Sequence, residues 1–505
     1  MKRFSTWIKL TLFLSLFSQF SQAQVCGTIG AEAAAIKAKL LKNKAALAAG
    51  AVFPRSTQYV PIKFHVVQKS DGSGGILLRN VLEQLCALNN DFRSLGIQFY
   101  IKGKLNIIND DRLYTHHYNY RNVMETYRDP SAMNIWLVDN ANPTGFDGYV
   151  AGYYTNSKDW LVIQKDEIKS FTYTLPHEVG HFFGLLHTFN GWDMDPWTME
   201  AHGNPAPSMS PSQIPTERQD KSNCASSGDF ICDTPPDYNF GAFWLDCNYN
   251  GGAKDPAGTL VNPDESNFMG YFDACVRSEY HFSAEQKSLM QTDIMNEDRT
   301  YVRSSYTPDY LQFSGSSQQV SPVPGSTVAV YTQVNLQWTP VDGANQYLIE
   351  ISTSPAYTVS TTLSFITVEN QLTVETLEPS KTYYWRIRPF NEYYRCTCIV
   401  ESRNFRTGSQ TTAVQDIQEL NDWQASPNPL HRGEPLRLQF NIGKEFAAQL
   451  ALLNPLGQTV QDFGNQDFMI GTQEKLIATD AMPAGIYLLA IQTTTGRSVK
   501  KIIIQ

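Results

Sequence analysis

The sequence predicts an α+β domain, with a mixed sheet and an active-site helix, followed by two all-β sandwich domains. The 505 residues are enough for about three domains. Residues 56–310 mix strand and helix patterns, whereas residues 318–408 and 423–505 carry short β-rich runs between turns. A polar linker, residues 409–422, separates the two β-rich parts.

The composition is that of a globular protein, with 42% hydrophobic and 18% charged residues. The formal net charge of −9 is mildly acidic. Because nucleic-acid-binding domains carry basic patches, this balance excludes that class of function.

Residues 1–23 have the pattern of a secretory signal peptide. Two basic residues and the apolar run from Ile8 to Phe17 precede Ser21-Gln22-Ala23, which fits a cleavage site. The apolar run is too short to span a bilayer, and no other segment could cross one. We therefore expect export through the periplasm, with the mature protein secreted or at the cell surface, where disulfides persist.

Residues 24–55 have the features of a removable pro-segment. Residues 31–49 are rich in Ala and Lys and predict a helix. Arg55-Ser56 then offers a protease-sensitive junction. The alternating stretch from Tyr59 to Val67 predicts the first strand of an ordered domain.

Residues 56–310 carry the mixed pattern in detail. Apolar residues at helical spacing predict a helix over 79–95. Strands are predicted at Tyr149–Tyr154 and Trp160–Ile163. Ser283-Ala284-Glu285-Gln286 is a capping-box pattern, which predicts a helix that runs to about Met295.

The rest of the chain is richer in turns. Residues 190–265 abound in Gly, Pro, Asn and Asp and predict a long irregular region, typical of a site built from loops. After residue 318, short β-rich runs predict a sandwich: Val334–Trp338, Gln346–Ser352, Gln371–Thr373 and Tyr383–Arg388.

A five-residue pattern within residues 177–187 predicts a metal site. On a helix, His177 and His181 leave the same face and can hold one zinc ion, with Glu178 beside it. Gly184 permits a sharp turn that brings His187 back as third ligand. The fourth position stays open for water, which is typical of a catalytic zinc.

The alternative is an apolar helix that carries histidines by chance. Only 9 of the residues are His. The fixed pattern would then arise on the order of once in a hundred thousand such chains. The spacing therefore favours zinc chemistry strongly.

This long motif is typical of metzincin metalloproteases. The region 177–286 resembles the pappalysin branch, of the ulilysin-like, cytophagalysin type. The features that carry the resemblance are the zinc motif, Gly228-Asp-Phe-Ile-Cys-Asp-Thr-Pro235, Asn267-Phe-Met-Gly-Tyr271 and Phe282-Ser-Ala-Glu-Gln286.

The resemblance implies two further site residues. Met269 would form the methionine turn, a soft apolar floor beneath the metal ligands. Tyr271 is a candidate to hydrogen-bond the developing oxyanion. The alternatives are an ordinary core Met and a structural Tyr.

The resemblance also implies a calcium site, because the Asp-Thr-Pro region binds structural calcium in that family. Carried over, Asp229 and Thr234 become oxygen ligands of Ca²⁺. The alternative is an Asx-turn without metal.

The chain has eight cysteines. The resemblance implies a disulfide between Cys247 and Cys275. Cys224 and Cys232 are then left close together and are predicted to pair, although the resembling enzymes place their second bridge differently. No state is predicted for three others: Cys86, Cys396 and Cys398.

Cys26 is predicted to hold the enzyme latent. A thiolate is a strong zinc ligand and would displace the catalytic water. Cys26-Gly27-Thr28 is similar to the latency switch of ulilysin-like zymogens, and cleavage near Arg55 would release it. The alternative is an unremarkable thiol near the terminus.

The two β-rich regions resemble known modules. Residues 318–408 resemble a fibronectin type III module, with Trp338 as its core tryptophan and a tyrosine-corner segment at 377–383. Residues 423–505 resemble the C-terminal sorting domain of type IX secretion. That resemblance rests on Ser426-Pro-Asn-Pro429, Asn454-Pro-Leu-Gly457, Met482-Pro-Ala-Gly-Ile-Tyr487 and a Lys-rich end.

Together these patterns predict a secreted zinc endopeptidase, made as a latent zymogen, that cleaves protein or peptide substrates. Glu178 would act as general base toward a zinc-activated water and then as general acid toward the leaving amine. Asp273 is a candidate to line the primed-side pocket, or is a surface residue. The rival function is a secreted adhesin with a spent protease domain, against which the intact Glu178 argues.

Overall fold

The structure is a computed structural model that divides into two compact units. Unit 1 comprises Met1–Gln318, Thr339–Asn370 and Tyr384–Ser402, and unit 2 comprises Gln319–Trp338, Gln371–Tyr383 and Arg403–Gln505. The described residues are 26–28, 30–53, 56–143, 149–244, 246–303, 316–391, 396, 401–410, 417, 419–454, 459–480, 482–493 and 496–505.

Two predictions lie outside the described residues: the signal peptide and the junction at Arg55. Cys398, for which no state is predicted, also lies outside them. The stretch 318–408, predicted as one module, contributes residues to both units. No helix among the described residues has the length and hydropathy that a membrane span requires.

Seven α-helices lie in the described part of the chain. They are α1 (Ala31–Ala48), α2 (Leu78–Asp91), α3 (Asp111–His116), α4 (Arg121–Tyr127), α5 (Thr174–Phe182), α6 (Met199–His202) and α7 (Ala284–Met295).

Unit 1 is built on a six-stranded mixed sheet of order β2-β1-β4-β6-β5, in which β3 also pairs with β1. All pairings are parallel except that of β5 with β6. The strands are β1 (Gln58–Gln68), β2 (Ile97–Ile101), β3 (Asn106–Asn109), β4 (Met133–Val138), β5 (Gly152–Thr155) and β6 (Trp160–Gln164).

The parallel strands are apolar because both faces of the sheet are covered. Every residue of β4 is buried, as expected for a strand between two layers. Helix α5 packs against β5 and β6. Leu175, Val179 and Phe182 of α5 lie in the same buried cluster as Leu161 and Ile163 of β6. The sheet thereby fixes the helix that carries the histidine motif.

Helix α7 begins at the predicted capping box. The Ser283 hydroxyl accepts a hydrogen bond from the Gln286 backbone at 3.1 Å, and the Gln286 side chain accepts one from the Ser283 N–H at 2.8 Å. Two other boundaries differ from the sequence pattern. Helix α2 ends at Asp91, before a short 3-10 turn at Arg93–Leu95, and β5 begins only at Gly152.

The remainder is strand-rich, which confirms the predicted fold class. The strands that follow are β7 (Gln319–Ser321), β8 (Thr327–Val330), β9 (Thr332–Trp338), β10 (Gln346–Ser352), β11 (Thr362–Thr367), β12 (Gln371–Thr376), β13 (Thr382–Phe390) and β14 (Arg403–Gln410). In unit 1, β10 pairs antiparallel with β11 and with β13. In unit 2, β9 pairs with β7 and β12.

The end of the chain forms two further antiparallel sheets in unit 2, of orders β15-β16-β19 and β18-β17-β20-β21. Their strands are β15 (Leu420–Ser426), β16 (Leu436–Ile442), β17 (Phe446–Leu453), β18 (Thr459–Phe468), β19 (Gly471–Ile477), β20 (Gly485–Gln492) and β21 (Arg497–Ile504). Buried and exposed residues alternate strictly along β16. This is the pattern of a sheet with one face in a core.

Candidate active site

Helix α5 carries three of the predicted site residues. His177, Glu178 and His181 are all buried. Met269 lies directly beneath the helix, since a Cβ built on Gly180 would come within 2.4 Å of its sulfur. Only glycine at 180 allows this approach, so Met269 packs against the helix that carries His177 and His181.

The chain leaves α5 through a Schellman turn. Gly184 has φ +90°, its N–H donates to the His181 carbonyl at 2.9 Å, and the Leu185 N–H donates to the Gly180 carbonyl at 3.0 Å. The turn reverses the chain and returns His187 to the two helical imidazoles. The structure thus places Gly184 at the turn between the helical histidines and His187.

Each imidazole uses Nδ1 to donate a hydrogen bond. His177 donates to the Phe268 carbonyl at 2.7 Å, and His181 donates to the Leu185 carbonyl at 2.8 Å. The third acceptor is a carboxylate oxygen of Asp193, 2.6 Å from His187 Nδ1. These bonds fix the tautomers, because carbonyl and carboxylate oxygens can only accept. All three Nε2 atoms therefore keep bare lone pairs.

The bare nitrogens converge in a way that fits a metal ion. Nε2 of His181 and Nε2 of His187 are only 3.1 Å apart, although neither carries a proton in these tautomers. The Nε2 of His177 is buried without a hydrogen-bond partner. The Sγ of Cys26 lies 3.5 Å from His181 Nε2, and all four donor atoms lie within 4.8 Å of one another. A cation at their centre would satisfy every one of them.

His177 and His181 are kept neutral. Burial lowers the pKa of His177 to about 3, with a smaller contribution from His187. Burial also lowers the pKa of His181 well below its ordinary value. Neutral imidazoles are the form that binds metals.

Glu178 sits beside this cluster without a charged partner. Its side chain is fully buried, Oε2 accepts from the Thr28 hydroxyl at 3.4 Å, and Oε1 has no hydrogen-bond partner. Burial raises its pKa to about 8, against smaller lowering effects of hydrogen bonds from Cys26 and Thr28. A carboxyl group with such a pKa can exchange a proton near neutral pH.

Tyr271 closes the site from the opposite side. Its ring lies 5.9 Å from that of His177 and 5.2 Å from that of His187. Its hydroxyl accepts a hydrogen bond from the Cys26 N–H at 2.9 Å. The structure therefore brings the phenol to the cluster.

Cys26 is the one free cysteine among the described residues, and it is buried. It forms a parallel bridge with Gly152 of edge strand β5, and the next N–H, of Gly27, donates to the Gly152 carbonyl at 2.9 Å. Thr28 accepts from the Tyr154 N–H at 2.8 Å. The segment thus lies along the sheet edge that borders the site.

Asp229 and Thr234 also come together. The Thr234 hydroxyl lies 3.0 and 3.1 Å from the two Asp229 carboxylate oxygens, and the Ile231 N–H donates to Asp229 at 2.9 Å. Glu217 nearby is buried with one oxygen unpartnered. Burial raises the pKa of Glu217 to about 10, with a further contribution from the Asp229 charge.

Asp273 is exposed. Asp273 is not among the residues that line the small pocket beside the site. Those residues are Cys26, Ala151, Tyr173, Thr174, His177, Glu178 and Tyr271. Asp273 nevertheless has an electrostatic effect on one residue of this lining. Burial raises the pKa of Tyr173 most, and the charges of Tyr280 and Asp273 raise it further.

Three disulfides are formed among the described cysteines. Cys224 bonds to Cys232 and Cys247 bonds to Cys275, the two predicted pairs, with Cα–Cα distances of 5.0 and 4.7 Å. The third joins Cys86 of α2 to Cys396, which lies 310 residues later.

Sequence reasoning missed two residues of the site. Asp193 follows His187 by six positions, a spacing that does not by itself connect the two side chains. Glu217 lies in the irregular region, where no local pattern distinguishes it from a surface carboxylate.

Comparison with known proteins identifies the class. An extracellular metalloprotease of Sordaria macrospora is 26% identical over 276 residues, which cover 51% of this chain and 82% of the relative. An extracellular metalloprotease of Neurospora crassa is 25% identical over 215 residues, 39% of this chain and 64% of that relative's length. The predicted enzyme class, a metalloendopeptidase, is confirmed. A metal cofactor follows from it.

A solved structure is also similar. A mutant of Tannerella forsythia promirolysin matches 55% of this chain and 97% of its own, at 17% identity and a TM-score of 0.38.

The C-terminal region matches a family model. Residues 426–505 match the secretion system C-terminal sorting domain. This match confirms the predicted sorting domain of type IX secretion. Together with the extracellular relatives it places the protein outside the cell or at the cell surface.

Proposed function

We propose that the chain is a secreted zinc endopeptidase made as a latent zymogen. One observation carries the proposal: three imidazoles use Nδ1 to donate and turn Nε2 to one point, beside the buried carboxyl group of Glu178. An adhesin would have no need for that carboxyl group. The same proposal assigns residues 1–23 as signal peptide and the segments that follow as pro-segment (24–55), catalytic domain (56–310), fibronectin-like module (318–408) and sorting domain (423–505).

Zinc suits this donor set. Three imidazole nitrogens with a fourth open position are typical of catalytic zinc, and a thiolate can occupy that position. When bound, zinc supplies Lewis-acid chemistry, because it polarises a carbonyl oxygen and makes water more acidic.

Glu178 performs the proton transfers. It takes the proton from the water that attacks the scissile carbonyl and passes it to the departing amine. Tyr271 lies across the cluster, where its hydroxyl can donate to the oxyanion that develops on the substrate. Met269 supports the ligands from below.

In the latent chain, the pro-segment covers each of these groups. The Cys26 thiol lies at the fourth metal position. The backbone N–H of Cys26 donates to the Tyr271 hydroxyl, and the Thr28 hydroxyl donates to Glu178. The main chain at Gly27 is bonded to the β5 edge, where an extended peptide could otherwise pair. The pro-segment therefore keeps the substrate out of the site and also occupies Glu178 and Tyr271.

Helix α1 anchors this inhibitory segment. Lys39 donates to the Phe182 carbonyl at the end of α5, and Asn43 donates to Asp293 of α7 at 3.0 Å. Lys44 forms an ion pair with Glu285 at 3.1 Å. Cleavage near Arg55 would detach the helix from the body of the protease and release the thiol with it.

A structural calcium at Asp229 and Thr234 belongs to the same proposal. The cluster of Asp229, Glu217 and Asp237 is acidic and buried, and burial raises the pKa of each carboxyl group. A hard cation bound to oxygen ligands would relieve that cost.

Asp273 is proposed to favour a basic residue on the primed side of the cleavage site. Its charge acts on Tyr173, which lines the small pocket beside Glu178. Profiling of cleavage products by mass spectrometry tests this assignment, since Asp273→Asn should remove any such preference.

The experiment that tests the proposal is a metal-replacement cleavage assay. The full chain is processed near Arg55, stripped with a chelator and supplied with zinc, calcium or both before a protein substrate is added. We expect no cleavage without zinc, recovery with zinc, and greater thermal stability with calcium. Cleavage that persists in the stripped protein would exclude the zinc mechanism. Absence of cleavage in every arm would favour the adhesin.

A further inference from the structure

The three histidines of the cluster differ in what holds their outer nitrogen. His177 and His181 donate to backbone carbonyls, which are fixed by the surrounding fold. His187 alone donates to a carboxylate, at the shortest of the three distances, 2.6 Å to Asp193. It also lies beyond the Gly184 turn, so the helix that fixes the other two rings does not fix this one.

Asp193 is itself held from several sides. Its second carboxylate oxygen accepts from the Gly191 N–H at 2.8 Å. The loop around it is tied down by Asn239, whose amide donates to the Trp192 carbonyl at 3.1 Å. On the other side, the His187 ring stacks on Phe189 with centroids 4.6 Å apart. The carboxylate and the ring are therefore both fixed before any metal arrives.

We propose that Asp193 is a positioning residue for the metal site. Its carboxylate holds His187 in the Nδ1–H tautomer, orients the ring toward the metal position and makes Nε2 a stronger donor. A carboxylate behind a metal-ligating histidine typically contributes 10- to 100-fold in metal affinity. The inference deepens the proposed function and rests on its metal site.

The test compares the zinc dissociation constants of full-length variants, measured by competition with a chromophoric chelator. Asp193→Asn keeps the side-chain shape but removes the charge, and we expect it to weaken zinc binding about 10- to 100-fold. Asp195→Asn is the matched control, because Asp195 lies in the same loop, is 60% exposed at its side chain, and contacts His202 instead. The control should bind zinc like the parent chain.

Unchanged zinc affinity of Asp193→Asn would overturn the inference. If the metal-free Asp193→Asn chain unfolds at a lower temperature than the parent, visible spectra of the two cobalt-saturated proteins are compared. A changed spectrum reports an altered ligand geometry and supports the role of Asp193. An identical spectrum refutes it. Failure of the metal site itself is separable, since His181→Ala would then bind zinc as tightly as the parent chain.

Discussion

At the scale of single residues, the hydrogen bond that each histidine makes through Nδ1 leaves its Nε2 free to bind a metal. Because every Nδ1 donates, the Nε2 atoms of His181 and His187 face each other at 3.1 Å with lone pairs alone. This arrangement is unfavourable without a cation and favourable with one. The geometry of the cluster therefore suits a metal ion.

The residues of the motif were predictable because their spacing is local. The positions of His177, His181 and Gly184 follow from helix geometry and a glycine turn. Asp193 was not predictable in the same way. Its contact depends on the fold of an irregular loop, and an Asp six residues after a ligand carries no signal by itself.

At this scale, we predict that the Cys26 thiol keeps the unprocessed chain inactive. In the unprocessed chain, Cys26→Ala should raise cleavage of a protein substrate by more than about tenfold, a change of about 1.4 kcal/mol in the latent equilibrium. The reason is that Cys26 supplies the pro-segment's thiol to the metal-binding cluster of the described residues. Gel analysis must show that residues 24–55 remain attached during the assay.

Lys42→Ala serves as the control for Cys26→Ala. Lys42 lies on the same pro-segment but forms an exposed ion pair with Asp298, and such pairs contribute little. Equal latency of the Cys26→Ala and Lys42→Ala chains would rule out the thiol switch.

At the scale of elements, the sheet of unit 1 contains a buried histidine that should make it sensitive to acid. His65 of β1 accepts from Asn106 of β3 at Nδ1, at 2.9 Å, and donates from Nε2 to Asn134 of β4 at 3.0 Å. Its ring stacks on Trp136 at 4.1 Å. The side chain thus links three strands in its neutral form.

His65 should destabilise unit 1 as the pH falls. Burial lowers its pKa from 6.5 to about 4, so the unfolded chain binds the proton first. The stability it contributes is complete above pH 6.5 and is lost between 6.5 and 4. From these values, the loss between pH 7 and pH 5 is about 2 kcal/mol. His65→Gln should reduce the difference in melting temperature between those two pH values.

His116→Gln is the control, because His116 is exposed on the same unit. If His65→Gln and the parent chain lose the same melting temperature on acidification, the neutral buried histidine is not the source of the acid sensitivity.

The sequence pattern predicted which segments form helices and strands better than it predicted where those elements begin and end. The capping box at Ser283 determined where α7 begins, since both reciprocal bonds are made by side chains within one turn. The end of α2 has no such local signal. Phe92 there packs into the core against Phe99, Phe183 and Phe282, contacts that no periodicity could show.

At the scale of the whole molecule, the sequence indicates the order of the segments but not the long-range bonds. The composition shift near residue 318 and the C-terminal motifs are visible in the sequence alone. The Cys86–Cys396 disulfide is not, because pairing across 310 residues depends on the folded chain. The sorting domain was recognisable because its motifs lie within one compact stretch.

The sorting domain should be required for export and not for chemistry. A chain ended at residue 425 should remain inside a host with type IX secretion, because the matched region 426–505 is absent. Immunoblots of cells and medium measure this. The retained chain should still cleave substrate after processing. Equal export of the truncated and complete chains would contradict the assignment.

The central claim, that Glu178 is the proton-transferring group of a metal-dependent peptidase, has one most direct measurement. Bound zinc and cleavage rate are determined on the same preparations of the processed parent chain and of Glu178→Ala. Because Glu178 is not among the four groups at the metal position, zinc content should be unchanged. Cleavage should fall by about 10²- to 10⁴-fold. A variant that cleaves at the parent rate with its zinc retained would contradict the account.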